Sequence, residues 1–452
     1  MKLERLIAAL GPTEVVGRAP VEIHELSYDS RAVPRDALFF CIPGAKADGH
    51  DFGPAAITAG ASALVVERRL PLDAPQLVAQ SVRDAMPRAA VAFFGDPTAE
   101  LDVVGVTGTS GKTTTAFLLR SIFDAAGRRP ALLSSIERRV GDDVRTPSLN
   151  TPEAIDLQRL FREMLDAGNE VCVMEATSIA SSMRRLDGTR FAVLVFTNLS
   201  QDHLDFHGTM AEYFEAKRRL FGQARHVVVN VGDEYGRRLA NEFPGAITFQ
   251  LGDEIAADVK LPGRFNEENA LAAAAAARAL GVDDDAIRAG IEAVSGVPGR
   301  FEPVQEGQPF RVIVDYSHKP GALETVLREA RAISSGRVFC VFGAGGDRDR
   351  DKRPLMGRVA AELADIAIVT SDNPRSEDPA AIAAEVANGF DVEIELDRRA
   401  AIEHAIEAAT GGDVVVIAGK GHEQGQEFAD RTIPFDDREV ARAALRNLKT
   451  PA

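Results

Sequence analysis

Residues 101–127 read LDVVGVTGTSGKTTTAFLLRSIFDAAG. The stretch opens with an apolar run that predicts a buried strand, turns at a glycine-rich segment, and continues as a helical pattern that stops at Gly127. A strand that runs through a glycine turn into a helix is typical of a parallel α/β unit. The stretch therefore predicts a parallel sheet covered by helices.

The turn has the chemistry of a phosphate-binding loop. It reads GTSGKT over residues 108–113 and joins a strand to the N-terminus of a helix, as such loops require. Its backbone N–H groups would converge on phosphate oxygens, Lys112 would reach the β- and γ-phosphates, and the Thr113 hydroxyl would bind Mg²⁺. The match to GxxxxGK(S/T) is incomplete, because Val106 stands where the first glycine belongs and Gly105 lies one residue early. We interpret the segment as an ATP-phosphate loop rather than as a glycine turn that binds nothing.

Strands and helices alternate outward from this loop in three blocks. Residues 1–97 hold short apolar runs between Gly and Pro turns and predict a small α/β domain. Residues 98–299 contain the loop and predict a central ATPase domain with a parallel sheet. Residues 300–452 alternate again and predict a second doubly wound sheet. The apolar strand segments of the last two blocks are 171–174, 192–197, 226–230, 312–316, 338–343, 366–371 and 414–419.

The composition of the 452 residues restricts the class of protein. Hydrophobic residues make up 45% and charged residues 27%, as in ordinary globular enzymes, and the net charge is −16. Such an acidic chain lacks the basic footprint that a nucleic-acid partner needs. The N-terminal MKLERLIAALG predicts an amphipathic helix rather than a signal peptide, and no apolar run reaches the ~18 residues of a membrane span. We therefore expect a cytoplasmic protein with no nucleic-acid and no membrane partner.

The three cysteines, Cys41, Cys172 and Cys340, lie far apart and form no CxxC or Cys/His cluster. This spacing argues against a disulfide framework and against a structural zinc site. Cys172 and Cys340 lie in apolar runs and are predicted to be small core residues.

Carboxylate and imidazole groups follow two further strands of the central block. Glu175 ends the strand VCVME at the edge where open α/β sheets bind ligands, so it is either a Mg²⁺ ligand or a solvated strand-end residue. Asp202, His203, Asp205 and His207 lie within six residues in DHLDFH. This density predicts a site; zinc is an open alternative, although the segment lacks the HExxH geometry.

Lys217 lies on an apolar helix face. In a helix over residues 210–221 it shares that face with Tyr213 and Leu220. A charged lysine is costly to bury. Its stem therefore either snorkels past Tyr213 to solvent, or its charge is neutralised or chemically altered.

Four loops of the C-terminal block follow strands and contain glycine and charged residues. In a doubly wound sheet such loops converge on one edge. One of them sets glycines beside Arg348, Arg350, Lys352 and Arg353, which predicts an anion site, with a solvated basic loop as the alternative. The four loops are DYSHKPGAL (315–323), GAGGDRDRDKRP (343–354), SDNPRSEDP (371–379) and AGKGHEQGQ (418–426).

Two of these loops contain groups of both charges. Arg375 can form a bidentate bond to a carboxylate. The last loop supplies Lys420, His422 and Glu423. A zwitterion, which carries an ammonium and a carboxylate, would fit Asp372, Arg375 and Glu423.

The order of motifs resembles the Mur ligase family, and within it the branch that adds the third residue of the peptidoglycan stem peptide. The resemblance covers nearly the whole chain, and twelve motifs in order make it specific. They are YDSRAV (28–33) with GAKADGHDF (44–52), GVTGTSGKTTT (105–115), NTPEA (150–154), MEATS (174–178), FTNLSQDHLDFHG (196–208), EAK (215–217), GRFNEENALAA (263–273), PGRFE (298–302), DYSHKPGALE (315–324), GGDRDRDKRPLMG (345–357), DNPRSE (372–377) and AGKGHE (418–423).

The resemblance implies an α/β fold of three domains: an N-terminal uridine-nucleotide domain, a central P-loop ATPase, and a C-terminal Rossmann-like domain for the incoming amino acid. The implied reaction adds diaminopimelate to UDP-N-acetylmuramoyl-L-alanyl-D-glutamate, with ATP and Mg²⁺ as cofactors. The carboxylate of the dipeptide attacks the γ-phosphate of ATP to give an acyl phosphate, which the amine of the amino acid then attacks. We expect a monomer whose partners are the UDP-linked dipeptide and a diamino acid.

Carried over residue by residue, the resemblance also implies ligand-binding roles. Lys217 matches a lysine that family members carbamylate, which would turn a cation into an anionic metal ligand. The implied catalytic residues are Lys112, Glu175, His203 and Lys217, and the implied metal ligands are Thr113, Glu175, His203 and carbamylated Lys217. The implied ATP-binding residues are Gly108, Thr109, Ser110, Gly111, Lys112, Thr113, Thr114, Asn269, Arg300, Asp315 and His318. Residues implied to bind the UDP-linked substrate are Ser30, Asn150, Thr151, Thr177 and Arg185. Residues implied to bind the amino acid are Arg348, Asp372, Asn373, Pro374, Arg375, Gly419 and Glu423.

Several positions depart from the family pattern, mostly on the side of the muramoyl peptide. Two other functions therefore stay open: a relative that ligates an amino acid to another acyl acceptor, and a P-loop ATPase without ligase activity. The DNPR and GKGHE motifs argue against the second. The departures are Asn150 for the first threonine of TTP, Thr177-Ser178-Ile179 for SSH, Met183 for a glutamine, His318-Lys319-Pro320 for HTP, and a short stretch between Gly232 and Leu261.

Overall fold

The protein is described by a computed structural model that covers residues 1–17, 21–44, 47–147 and 149–448. Three sheets follow one another along the chain, together with a short two-stranded hairpin near the C-terminus. Each main sheet contains parallel strands connected by helices, and the α/β fold class predicted from the sequence is confirmed. Residues 45 and 46 of the GAKADGHDF motif lie outside the described residues.

The first sheet has the strand order β1-β5-β4-β3-β2, and only β1 runs antiparallel to its neighbour. The predicted N-terminal helix is present and ends at Gly11, whose left-handed φ of 58° closes it. The helices are α1 Leu3–Leu10, α2 Gly53–Ala59 and α3 Val82–Phe94. The strands are β1 Glu14–Val16, β2 Glu25–Ser27, β3 Ala37–Phe40, β4 Ala63–Val66 and β5 Gln76–Val78.

The second sheet has the order β13-β12-β11-β6-β10-β7-β8-β9, with the strand that leads into the phosphate loop, β6, between β11 and β10. Its last two strands form an antiparallel hairpin that the sequence did not predict. The strands are β6 Asp102–Thr107, β7 Pro130–Leu133, β8 Arg138–Val140, β9 Asp143–Arg145, β10 Val171–Glu175, β11 Phe191–Phe196, β12 Ala224–Asn230 and β13 Ile247–Phe249. The helices are α4 Lys112–Ala125, α5 Ala154–Asp166, α6 Ser178–Ser182, α7 Leu204–His207, α8 Met210–Arg218, α9 Glu234–Glu242, α10 Arg264–Ala279 and α11 Asp284–Glu292.

Helices cover both faces of this sheet. Alternate strand residues point into two separate cores, one shared with α4, α10 and α11 and the other with α5 and α8. The alanine-rich stretch of α10 is buried against α4, and its small side chains permit close packing of the two helices. The carboxyl ends of β6, β7, β10 and β11 consequently meet at one edge, where the candidate site lies.

The third sheet has the order β14-β15-β19-β16-β17-β18 and is parallel except for its edge strand β14. Helices α12–α14 cover one face, and α15 and α16 cover the other. The strands of this sheet are β14 Glu302–Val304, β15 Arg311–Asp315, β16 Val338–Phe342, β17 Ile366–Val369, β18 Glu393–Ile394 and β19 Val414–Ala418. The separate hairpin consists of β20 Gly425–Glu427 and β21 Thr432–Pro434. The helices are α12 Pro320–Ile333, α13 Lys352–Leu363, α14 Pro379–Ala387, α15 Arg398–Ala408 and α16 Asp437–Leu448.

The fold also bears on the expectations about the cysteines and about membrane-spanning helices. Cys172 and Cys340 are fully buried in strands, as predicted, and Cys41 is also buried and free. Across the described ranges, none of the helices combines the length and apolar character that crossing a membrane requires.

Candidate active site

A cleft of about 500 Å³ lies between the central and C-terminal sheets. The phosphate loop and the ends of the central strands form one wall, and residues 315–326 form the opposite wall. The structure therefore brings together most of the residues that the sequence assigned to ATP, to metal and to catalysis. Those that line the cleft are Thr109, Ser110, Gly111, Lys112, Thr113, Thr114, Glu175, His203, Lys217, Asn269, Arg300, Asp315 and His318. Two residues predicted to bind the UDP-linked substrate, Asn150 and Thr177, also line it.

The phosphate loop is held tightly against its neighbours. Gly108 has a φ of 145°, and a Cβ there would lie 2.0 Å from Thr197 Oγ1. Gly111 has a φ of 87°, and a Cβ there would lie 2.3 Å from Asn269 Oδ1. Both glycines are therefore required by conformation and by space. Asn269, which the resemblance assigns to ATP binding, lies directly against the loop.

Lys112 is folded over the loop that it follows. Its Nζ donates to the carbonyl oxygens of Gly108 at 3.0 Å and Thr109 at 2.8 Å. Burial lowers the pKa of Lys112 to about 8, although the Glu175 carboxylate acts in the opposite direction. No ion pair neutralises this lysine within the described parts of the chain, so its positive charge is available to an anion.

Four groups converge beside the start of α4. Glu175, which is 2% exposed, accepts through Oε1 from the Thr113 hydroxyl at 2.9 Å and from the Ser135 amide at 2.8 Å. Arg300, at the junction with the C-terminal domain, donates to Thr113 Oγ1 at 3.2 Å and to Ser135 Oγ at 3.1 Å. Glu175 is therefore a buried, hydrogen-bonded carboxylate rather than a solvated strand end.

Lys217 is 1% exposed, so its ammonium does not snorkel to solvent. Its Nζ donates to the Gly108 carbonyl at 2.7 Å and lies 4.6 Å from the centre of the Tyr213 ring. Burial, reinforced by the charge of Lys112, lowers the pKa of Lys217 well below its usual value. The α8 helix that carries it begins at a capping box formed by Thr209 and Glu212. The neutral amine form that this environment favours is the form that can react as a nucleophile.

The DHLDFH segment does not act as one cluster. Asp202 accepts from the His203 amide at 2.8 Å, lies 3.1 Å from His203 Nε2, and forms an ion pair with Lys319 of the C-terminal domain. His207 instead bonds Ser178 Oγ at 3.0 Å. Burial raises the pKa of Asp202, but Lys319 and His203 outweigh it and lower the value to about 2.

The protonation of His203 is set by the same surroundings. Burial lowers the pKa of His203 to about 4, so the ring is neutral at pH 7. His203 Nε2 lies 3.1 Å from Asp202 Oδ2, and in the tautomer protonated at Nε2 the lone pair of Nδ1 would be left for a metal.

These donors fit Mg²⁺ bound together with a nucleotide. Mg²⁺ keeps several waters and takes one or two carboxylates plus substrate phosphates. Thr113 and Glu175 already touch each other at the phosphate loop. The described residues contain no group of three or more His, Cys, Asp or Glu side chains placed to enclose a metal. The zinc alternative for DHLDFH therefore has no support from the geometry.

Asp315 and His318 form the opposite wall. Asp315 accepts from the amides of Phe301 at 2.7 Å and Ser317 at 2.8 Å, which holds the start of the C-terminal domain. His318 Nδ1 donates to the Tyr316 carbonyl at 2.7 Å. Burial, with the charge of Lys319, lowers the pKa of His318 well below its usual value.

Residues predicted to bind the UDP-linked substrate fall into two groups. Thr151 donates to the Glu175 carbonyl at 2.9 Å and lies 3.2 Å from Thr177 Oγ1, directly behind the phosphate site. Arg185 pairs with Glu153 at 2.8 Å on the same side. Ser30 lies apart, in a turn of the N-terminal domain that follows β2.

The residues predicted to bind the amino acid form a separate polar cluster at the edge of the third sheet. Lys420, which is 0% exposed, donates to Asn373 Oδ1 at 2.9 Å and lies 3.4 Å from Glu423 and 3.6 Å from Asp372. Asn373 also donates to Glu423 at 2.9 Å. The Oδ1 atom of Asp372 is buried and receives no hydrogen bond from the residues that the structure describes. Gly419, with a φ of 121°, lets the chain pass this carboxylate closely.

Arg375 lies at the rim of this cluster, after Pro374. Its Nε donates to Glu427 at 2.9 Å and its Nη1 to the Gly346 carbonyl at 2.8 Å. Its Nη2 has no partner among the described residues and is available to a carboxylate. A φ of 52° fixes the residue in a left-handed turn.

The four cations of the basic loop, residues 343–354, differ in whether other side chains pair with them. Arg353 is 0% exposed and bonds Glu377 and Glu385, and Arg350 also pairs with Glu385. These two arginines hold the loop in place, so the predicted anion site is wrong for them. Lys352 bonds the His318 carbonyl at 3.0 Å, and only Arg348 of the set is exposed and unpaired in the described chain.

Sequence reasoning missed Ser135 and Lys319 as site residues. Ser135 follows β7 and uses its amide and its hydroxyl to fix Glu175 and Thr113. Its position after a central parallel strand is a signal that could have identified it. In the sequence, Lys319 stands out only because it departs from the HTP pattern of the family, and its partner Asp202 lies 117 residues away.

Comparisons with known proteins agree with this geometry. Three family models match the chain: "Mur ligase family, catalytic domain" at residues 22–105, "Mur ligase middle domain" at 106–254, and "Mur ligase, glutamate ligase domain" at 299–421. The chain is 42% identical to the UDP-N-acetylmuramoyl-L-alanyl-D-glutamate–2,6-diaminopimelate ligase of Geobacter metallireducens over 509 aligned positions, covering 100% of this chain and 99% of that protein. It is 42% identical to the ligase of the same name from Streptomyces coelicolor, covering 98% of this chain and 96% of that protein.

Solved structures give the same picture. One structure of a UDP-N-acetylmuramoyl-L-alanyl-D-glutamate–2,6-diaminopimelate ligase has a TM-score of 0.67 and 31% identity, covering 98% of this chain and 99% of that chain. An Escherichia coli FolC in complex with ADP has a TM-score of 0.56 and 23% identity, covering 74% of this chain and 90% of that chain, which indicates a shared fold only.

Proposed function

This chain belongs to the Mur ligase family, and we propose that it is an ATP-dependent ligase that joins diaminopimelate to UDP-N-acetylmuramoyl-L-alanyl-D-glutamate. The relatives at 42% identity over their full length carry that name. The observation that carries the proposal is the cleft, in which a phosphate loop and buried Glu175 and Lys217 face a domain bearing a charged cluster. Both nucleotide substrates are cytoplasmic metabolites, so the proposed reaction takes place in the cytoplasm.

The first step makes an activated acyl group. The terminal carboxylate of the dipeptide attacks the γ-phosphorus of ATP, the bond to ADP breaks, and an acyl phosphate forms. Lys112 would exchange its loop carbonyls for the β- and γ-phosphates, and Arg300 would add positive charge from the domain junction. Thr113, Glu175 and His203 would hold Mg²⁺, which neutralises phosphate charge when bound. Phosphoryl transfer depends mainly on such positioning and charge stabilisation.

We propose that Lys217 acts as a carbamate. Its neutral amine can add to carbon dioxide and lose a proton, which gives an anionic carbamate. We propose that this carbamate is a further metal ligand beside Gly108. Lys217 is buried and has no carboxylate partner within the described ranges, which supports this form.

The second step forms the amide. The amine of diaminopimelate attacks the acyl carbonyl, inorganic phosphate leaves, and the amine loses a proton. Asp372, Asn373 and Glu423 would hold the distal zwitterionic end, with the free Nη2 of Arg375 on its carboxylate. Exposed Arg348 lies on the same edge of the sheet and would add a second cation.

A single assay tests the proposal. Phosphate release is measured with ATP and the UDP-linked dipeptide, supplied in turn with meso-diaminopimelate, LL-diaminopimelate and L-lysine. We expect release only with a diaminopimelate isomer, and transfer of one ¹⁸O from a labelled dipeptide carboxylate into phosphate. Release only with lysine would overturn the role of Arg375. No release with any of the three would point to another acyl acceptor, and release without an amino acid would point to a simple ATPase.

A further inference from the structure

An ion pair crosses the cleft between the central and C-terminal domains. Lys319, the residue before α12, contacts the Oδ2 atom of Asp202 in the loop after β11. The Asp202 side chain is 7% exposed and that of Lys319 is 21% exposed. Because most of the pair is withheld from water, its attraction is screened less than that of an ordinary surface pair.

Asp202 in turn holds His203 at two points. Its Oδ1 accepts from the His203 amide at 2.8 Å, and its Oδ2 lies 3.1 Å from His203 Nε2. His203 has a φ of 52°, in the left-handed region that a residue with a side chain seldom adopts. The carboxylate therefore maintains both the unusual backbone of His203 and the orientation of its ring.

The same oxygen of Asp202 receives Lys319 and the His203 ring. Without the ammonium, this buried carboxylate would lose its contact from the opposite wall and would no longer be held in one orientation. His203 would then lose the group that fixes its ring. The carboxylate is thus the link between a residue of the C-terminal domain and a residue of the phosphate site.

We infer that Lys319 is a positioning residue, which locks Asp202 and through it His203 when the C-terminal domain lies against the central domain. The domain that carries the amino-acid cluster would thereby complete the phosphate site, so that ATP is used only in the assembled enzyme. This inference rests on the proposed ligase function. It adds a residue to which the proposed function gives no role.

The experiment uses the full chain and four variants: Lys319→Met, Lys319→Arg, Asp202→Asn, and the double variant Lys319→Met/Asp202→Asn. Lys260→Met, at an exposed lysine of the central domain, is the matched control. Steady-state phosphate release gives kcat and KM, and a fluorescent ATP analogue gives nucleotide affinity. Dyes on Asp142→Cys and Glu362→Cys, exposed positions on the two domains, report their separation, since the three native cysteines are buried.

We expect Lys319→Met to lower kcat by about 10- to 100-fold while nucleotide affinity stays within about threefold, because the phosphate loop is untouched. Lys319→Arg should recover most of the loss. The double variant should be no worse than Asp202→Asn alone, since both changes break one link. In the presence of the ATP analogue and the dipeptide, the distance between the two dyes should be longer in Lys319→Met than in the wild type. It should be unchanged in Lys260→Met.

Three results would overturn the inference: an unchanged kcat in Lys319→Met, losses that multiply in the double variant, or an unchanged distance distribution. A wild-type enzyme that releases no phosphate with any amino acid would instead contradict the proposed function. In that case the distance measurement with the ATP analogue alone still decides whether Lys319 holds the domains together.

Discussion

Lys217 in the central domain and Lys420 in the C-terminal domain are both buried, with 1% and 0% of their surfaces exposed. The ammonium of Lys217 meets a backbone carbonyl, that of Gly108, and forms no ion pair in the described chain. The ammonium of Lys420 lies within 3.6 Å of the carboxylates of Asp372 and Glu423. The buried amine of Lys217 thus has no counter-ion among the described residues, whereas the ammonium of Lys420 is balanced in place.

The difference follows from what each region would bind. Around Lys217 the missing counter-ion favours the neutral amine, which can become the anionic carbamate proposed above. A site for a zwitterion must present both signs at once, so its own charges can pair before the ligand arrives. Replacing each lysine by an apolar residue of similar length separates these two cases.

The largest effect is expected for Lys420→Met. The change would leave Asp372 and Glu423 facing each other without their cation, and breaking a buried pair in this way costs about 3 kcal/mol or more. Calorimetry should show a lower unfolding temperature than for the wild type. The variant Lys420→Met/Asp372→Asn should recover part of the loss, because one of the uncompensated carboxylates is gone. Equal stability of Lys420→Met and wild type would contradict the balanced-charge description.

Lys217→Met should lower activity without lowering the unfolding temperature. Phosphate release should fall by about 10²–10³-fold, the range seen when a preorganised charged or hydrogen-bonding group is removed from an active site. The unfolding temperature should stay the same or rise, because burying a thioether avoids the cost of burying an amine. Lys260→Met serves as the control for both measurements. A Lys217→Met protein that unfolds earlier than wild type would indicate that the lysine supports the fold.

How far the sequence predicts these two regions depends on how local their contacts are. The phosphate loop is contiguous, and its strand, glycines and lysine are all present in residues 101–127, so its position could be predicted. Glu175 and His203 could be predicted because strand ends converge in a parallel sheet. The ion pair between Lys319 and Asp202 could not, since its partners are 117 residues apart on different domains.

The basic loop shows that a prediction from local sequence also fails when the partners of its charged residues are distant. Four cations in GAGGDRDRDKRP predicted an anion site, but Arg353 finds Glu377 and Glu385, 24 and 32 residues further along the chain. The antiparallel hairpin β8–β9 was also missed, because its strands of three residues each give too short a pattern to recognise.

Arg375→Lys tests how the C-terminal cluster recognises the amino acid, and its expected effect is smaller. A lysine keeps the charge but cannot reproduce the contacts of Nε and Nη1 while presenting Nη2 to a carboxylate. The KM for diaminopimelate should rise by about 10- to 100-fold, corresponding to the loss of one or two charged hydrogen bonds. The KM for ATP should not change, because the phosphate loop is in the other domain. Arg358→Lys, at an exposed site on α13, is the control, and a parallel rise in both KM values would contradict a separate amino-acid pocket.

His422 connects the two regions, and its protonation gives the smallest of the expected effects. Its Nε2 donates to the Ser135 carbonyl at 3.2 Å, so a loop of the C-terminal cluster reaches the residue that holds Glu175. Its Nδ1 is buried and has no hydrogen-bond partner among the described residues, so protonation there would place an unpaired N–H in the interior. Burial, with the charge of Arg300, lowers the pKa of His422 from 6.5 to about 4; among the other facing charges, Arg438 acts in the same direction and Asp436 against it.

The folded state therefore binds fewer protons than the unfolded state between pH 6.5 and pH 4, so this contribution to stability is complete above pH 6.5 and is lost as the pH falls through that window. The unfolding temperature of the wild type should consequently fall more steeply than that of His422→Asn as the pH is lowered from 7 to 4.5. The comparison of slopes removes the contributions of His203 and His318, whose pKa values are also lowered and which both proteins share. Parallel slopes would contradict this prediction, because they would mean that the pKa of His422 does not differ between the folded and unfolded states.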